Sequence, residues 1–73
     1  MITLQQIHNK LAYYIQTGHI TQKELAERLH IKPPTVSQYV KGRAMPALDT
    51  FANLCKVLDI DANDVLCLDD DKD

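Results

Sequence analysis

Thr21–Gly42 reads TQKELAERLHIKPPTVSQYVKG. Its apolar residues Leu25, Ala26, Leu29, Ile31, Val36 and Tyr39 follow one helical face, break near His30, and resume on a second helical face. Thr21 with Glu24 has the capping-box spacing, in which the Thr hydroxyl accepts from an amide three residues on while the Glu carboxylate reaches back. A two-turn helix over 22–29 follows, ended at His30. Lys32 precedes Pro33, and a proline ring drives the residue before it out of helical conformation. Pro33 and Pro34 suit the first turn of a new helix, where an amide proton has no intrahelical acceptor anyway. That helix runs to about Val40 and is released at Gly42. The stretch is therefore two short helices joined by a tight turn, with polar side chains on the outward side of the second.

Upstream, Leu4, Ile7, Leu11, Tyr14 and Ile15 recur at three- and four-residue steps and predict a first helix over about 3–17. Thr3 and Gln6 have the capping-box spacing at its start, and Gly18 suits the residue just past its end. Downstream, Arg43 to Pro46 reads as a loop. Leu48, Phe51, Ala52, Leu54, Cys55 and Leu58 then form a fourth helical face. Asp61 with Asp64 signals a short fifth helix carrying Val65 and Leu66. Asp69–Asp73 is a charged tail, expected to be mobile. The pattern is all-α, with no strand signal, internal repeat or low-complexity linker.

Composition narrows the function. Seventy-three residues make one small domain, near the lower size for a core without disulfides or metal. An apolar share of 45% suits a folded globule and argues against disorder. No apolar run approaches the roughly 18 residues of a membrane span, and the N-terminus lacks the layout of a secretion signal. The expected location is the cytoplasm. Cys55 and Cys67 are too far apart for a paired metal or redox motif; Cys55 is expected as a buried free thiol, and Cys67 either packs at a C-terminal edge or sits exposed.

The formal net charge of −2 conceals a division by position. Residues 1–58 hold seven Lys and Arg against three Asp and Glu, a balance of +4, whereas residues 59–73 hold one against seven, a balance of −6. An anionic polymer responds to the local field of one face, since exposed charges beyond about 8–10 Å are screened at physiological salt.

Over about Leu4 to Leu66 the chain resembles the Cro/phage-repressor helix-turn-helix family, also called the xenobiotic-response-element type. The resemblance rests on ITQKELAERLHIKPPTVSQYVKG, then RAMPALDTFANLCKVLDI, then DANDVL. It combines Gln at the second helix start, small Ala26, inward Val36, Gly42, Pro46 and an apolar fourth helix. It implies a compact five-helix lambda-repressor-like DNA-binding domain over 1–68, with an acidic tail at 69–73. The third helix is then expected in the major groove and the second across the backbone. Elementary geometry agrees, because a major groove about 12 Å wide admits one helix whose back is held by the protein. Ala26 must be small where the two helices cross, and overpacking there typically costs about 1–3 kcal/mol.

Carried residue by residue, the resemblance places Lys32, Pro33, Pro34, Thr35, Ser37 and Gln38 among the base-reading and adjacent positions. Gln38 is the strongest candidate, since one amide can meet adenine N6 and N7 together. Gln22 matches the family glutamine that bonds a phosphate and braces the reading helix. Lys41 and Arg43 match backbone contacts, and Arg43 can also reach a narrow minor groove. Each of these has a plainer reading as a solvated surface residue. The chain departs from the pattern at Pro33 and Pro34, where many members carry polar side chains; fewer hydrogen-bonded positions and more reliance on DNA shape follow. It departs again at His30, where glycine is common, although His is among the types enriched at positive φ. Lys10 is expected to make no strong phosphate contact, and Arg28 to pair with Glu24 on one helix face.

The expected function is a sequence-specific double-stranded DNA-binding transcription regulator, a repressor acting as a homodimer on a pseudo-palindromic operator. By family analogy the dimer surface is the C-terminal helix and its flanks, including Val65, Cys67 and Leu68. The competing reading is an antitoxin-like or adaptor module of the same fold that binds protein. Catalysis, a cofactor and a membrane partner are not expected. His8, His19 and His30 are spaced eleven apart and match no short metal-ligand motif, and the tail aspartates lack the glycine turn and terminal glutamate of a calcium loop.

Overall fold

Thr3 opens the first helix, α1 (Leu4–Thr17), through the expected capping box. Its hydroxyl accepts from the Gln6 amide at 3.2 Å, and its own amide donates to Gln6 Oε1 at 2.8 Å. The computed structural model describes residues 1–69, and four further helices follow α1: α2 (Gln22–Leu29), α3 (Pro33–Lys41), α4 (Leu48–Leu58) and α5 (Ala62–Val65). No strand occurs among the described residues, and none of their helices is long and apolar enough to cross a membrane. The expected acidic tail lies outside the described residues beyond Asp69.

Helices α2, α3 and α4 end alike, on a residue in the left-handed region: His30 at φ 57°, Gly42 at φ 74° and Asp59 at φ 55°. Each end turns the chain back by two backbone bonds. After α2, Ile31 donates to the Ala26 carbonyl at 3.0 Å and His30 to that of Glu27 at 3.2 Å. The same pattern links Arg43 and Gly42 to Gln38 and Tyr39, and Ile60 and Asp59 to Cys55 and Lys56. These bonds satisfy carbonyls that a helix end otherwise leaves open. His30 thus adopts the turn conformation expected of it, without glycine.

The core draws on all five helices: Leu11 and Ile15, Leu25 and Ala26, Val36 and Tyr39, Leu54, Cys55 and Leu58, and Val65. Helix α3 packs against α1 and α2, α4 against α2, and α5 against α1. Cys55 is a free buried thiol, with burial first and the Asp61 charge second raising its pKa. Cys67 is also buried, resolving the open alternative in favour of packing.

Several expectations are corrected. Leu4 and Leu48 fit the helical period yet remain 70% and 86% exposed, because each stands in a first turn beyond the edge of the core. Ala52 is exposed too. Gly18 ends α1 in extended conformation at φ −65°, so no left-handed cap requires it. A Cβ there would stand 3.0 Å from Leu58 Cδ2 and 3.0 Å from the Tyr14 carbonyl, so close packing is the reason for glycine. At α2 only half of the expected capping box forms: Thr21 Oγ1 accepts from the Glu24 amide at 3.0 Å, while the Glu24 carboxylate turns to Arg28 at 3.3 Å. Val65 and Cys67, expected on a dimer surface, are enclosed by the chain's own interior; of the three residues named, only Leu68 is exposed.

The short α5 is fastened to α1 by polar contacts as well as by Val65. Asp61 caps it, accepting from the Asn63 amide at 2.9 Å. Asp64 accepts a hydrogen bond from the Tyr14 hydroxyl and lies 3.5 Å from Lys10 Nζ. The Tyr14 hydrogen bond, aided by the Lys10 charge, lowers the Asp64 pKa, and the same bond raises that of Tyr14. Lys10 is therefore engaged with the C-terminal segment.

Candidate nucleic-acid interface

Helix α3 is built to show one side. Pro33 and Pro34 fill its first two positions, where they remove amide donors that the helix cannot use, and Lys32 stands before them in extended conformation. The Thr35 amide closes the first turn on the Lys32 carbonyl at 2.9 Å. Val36 and Tyr39, three residues apart, are buried against the other helices, with Val36 fully enclosed. Burial also raises the Tyr39 pKa.

The opposite side faces outward. Lys32, Pro33 and Pro34 are exposed, and Thr35, Ser37 and Gln38 are half-buried. At the far end Lys41 and Arg43 are exposed on either side of Gly42. Gln22 is exposed at the first position of α2, which packs on α3. The nine residues expected to meet DNA stand on α3, at its two ends, and at the first position of α2, a helix that packs on α3. Three cations, Lys32, Lys41 and Arg43, bracket this row, whereas Asp59, Asp61 and Asp64 belong to the junction of α4 with α5 and to α5 itself. These three aspartates stand on elements other than α3. Ala26 is fully buried on α2, the helix that packs against α3.

One residue that spacing alone did not single out joins this region. His8, half-buried on α1, places Nε2 3.2 Å from the Val40 carbonyl in the last turn of α3. The sequence offered only its place three residues before the buried Leu11, since a backbone carbonyl partner leaves no pattern among side chains. A cleft of about 270 Å³ beside it is lined by Leu4, Gln5, His8, Lys41, Gly42 and Met45.

A nine-residue helix with one side exposed, packed on its inner side against a two-turn helix, is the arrangement of a helix-turn-helix. The sequence profile of the helix-turn-helix family matches residues 11–65. The chain belongs to the Cro/C1-type helix-turn-helix family. It is 30% identical over 64 residues to an uncharacterized HTH-type transcriptional regulator of Methanocaldococcus jannaschii, covering 88% of this chain and 97% of that protein. Among solved structures it is similar to the SOS-response transcriptional repressor LexA from Eubacterium rectale, with a TM-score of 0.73 and 26% identity, covering 90% of this chain and 73% of that one. This helix-turn-helix protein is accordingly a DNA-binding transcription regulator with a lambda-repressor-like fold.

Proposed function

We propose that the protein is a sequence-specific repressor that inserts α3 into the major groove of a pseudo-palindromic operator as a homodimer. The observation that carries this reading is the division of α3 into a buried side, Val36 and Tyr39, and an outward side. Gln38 reads a base edge, with Thr35 and Ser37 each meeting a base or a phosphate. Pro33 and Pro34 give apolar contact with a thymine methyl and hand part of the specificity to DNA shape. Lys32 stands beside them at the entry to the groove. Gln22, Lys41 and Arg43 hold the backbone and fix the register without reading sequence. No hydrogen bond joins the Gln22 side chain to α3 among the described residues, so bracing by Gln22 is proposed for the DNA-bound state.

A single domain of this size offers few base contacts, so useful affinity calls for two copies. Their reading helices should lie about 34 Å apart, one turn of DNA. The dimer surface is the outer side of the C-terminal segment, with Leu68 as its exposed apolar residue. The proposed place of action is the cytoplasm.

Selection of bound duplexes from a random pool, followed by footprinting, tests the proposal. The expected result is a two-fold repeat with half-sites one helical turn apart, bound with steep salt dependence. Leu68→Glu should lower the sedimentation coefficient toward that of a monomer and weaken operator binding while leaving the melting temperature unchanged. Failure of any duplex to bind below micromolar concentration at low salt favours a protein-binding adaptor. An unchanged dimer in the Leu68 variant removes the C-terminal segment from the interface.

A further inference from the structure

We propose that His8, on α1, is a positioning residue for DNA binding: it locks the exit of the reading helix and so aims Lys41 and Arg43 at the phosphate backbone. The inference rests on the backbone role given to those two cations above.

The case starts from the carbonyls at the end of α3. A helix end leaves its last carbonyls without intrahelical donors. Those of Gln38 and Tyr39 are taken by the amides of Arg43 and Gly42, at 3.0 and 3.2 Å. The next carbonyl, that of Val40, receives its donor from another helix, His8 Nε2 at 3.2 Å. A carbonyl oxygen can only accept, so Nε2 carries the proton in this contact.

A second observation concerns Gly42. Its φ of 74° already favours glycine, and a Cβ there would stand 2.7 Å from His8 Nε2 and 2.8 Å from Cε1. The imidazole therefore backs directly onto the residue where the chain turns out of α3. Lys41 precedes that residue and Arg43 follows it, and both are exposed. One ring, anchored 32 residues earlier in the chain, sets the direction in which both cations leave the protein. Tyr39, Val40 and Ala44 pack this end against the core, and the ring adds a polar tie to the Val40 carbonyl.

The experiment measures binding of a random-sequence 30-base-pair duplex by the full chain across a salt series. The variants are His8→Leu, His8→Gln, Lys41→Ala with Arg43→Ala, and the triple combination with His8→Leu. A glutamine Nε2 stands as many bonds from Cα as the histidine Nε2, so His8→Gln keeps the donor. His8→Leu is expected to weaken binding about three- to tenfold, the range of one lost hydrogen bond, and to flatten the salt dependence. His8→Gln should stay within about twofold of the parent. Adding His8→Leu to the Lys41 and Arg43 variant should cost nothing further, because the ring acts through those side chains.

A purely structural role for His8 would lower the melting temperature without altering the salt slope. That result, or losses that multiply in the triple variant, overturns the proposal. If His8→Leu does not fold, His8→Asn replaces it; its donor is one bond too short, so it should bind more weakly than His8→Gln, and equal binding by the two overturns the proposal. Weakened binding by Lys41→Ala with Arg43→Ala but no coupling to His8 refutes this inference alone. Parental binding by that double variant refutes the backbone reading and this inference together.

Discussion

Replacing Val36 by alanine probes the brace behind α3, the proposed reading helix. Val36 is wholly enclosed, on the side of α3 that packs against α1 and α2. Deleting two buried methyl groups forfeits about 1.6 kcal/mol of transfer free energy, at about 0.8 kcal/mol each. The void left behind adds roughly 1 kcal/mol if its walls stay in place. A loss of about 2–3 kcal/mol is large for 73 residues, whose whole stability is expected at about 4–11 kcal/mol. The melting temperature should fall by about 8–24 °C. Urea unfolding followed by circular dichroism reads the same loss as a lower midpoint with an unchanged slope. A loss under about 0.5 kcal/mol would falsify the claim that α3 is held from within at Val36.

Other outcomes follow from the same geometry. Gln38→Ala should relax sequence preference, costing about 1–3 kcal/mol at one base pair, while Lys41→Ala weakens specific and random duplexes alike. Equal losses on both kinds of DNA for Gln38→Ala would remove it from base reading. The fastening of α5 should fail in acid. Because the Tyr14 hydrogen bond and Lys10 lower the folded Asp64 pKa, its contribution is complete above the unfolded carboxylate value of about 3.9 and is lost as pH falls through the lower folded value. Amide protection factors at Val65 and Leu66 should fall below about pH 4; in Asp64→Asn they should lose this acid response, and an acid response identical in both proteins would discard the idea. The raised Tyr14 pKa has the opposite sense, with its contribution present below the ordinary tyrosine value and lost as pH rises through the folded one.

The sequence made the helices legible because their ends carry strong local chemistry. Thr3, Thr21 and Asp61 accept from amides at helix starts, and the paired prolines, barred from a helix interior, fill the first turn of α3. Gly42 and His30 mark left-handed ends. What stayed hidden depends on three-dimensional boundaries. Periodicity assigned Leu4 and Leu48 to the core face, but a period has no knowledge of where the core stops. Gly18 was legible as glycine but not for its reason, since Leu58 approaches it from 40 residues away. Val65 and Cys67 read equally well as a sticky exterior or an interior plug, and only packing against α1 decides. Asp59 adopts a left-handed conformation that its residue type permits. The row from Lys32 to Gln38 was legible because the residues that brace α3 and those that face outward alternate with a helical period. His8 was not, because its partner is a backbone carbonyl that no sequence pattern reveals.

The decisive measurement is an amide chemical-shift titration of the labelled protein with its selected operator duplex. The largest changes should map to Gln22, Thr35, Ser37, Gln38, Lys41 and Arg43, with Asn63 and Lys56 little altered. Shifts concentrated on α5 and the end of α4, with Thr35, Ser37 and Gln38 unmoved, would contradict a reading helix at α3.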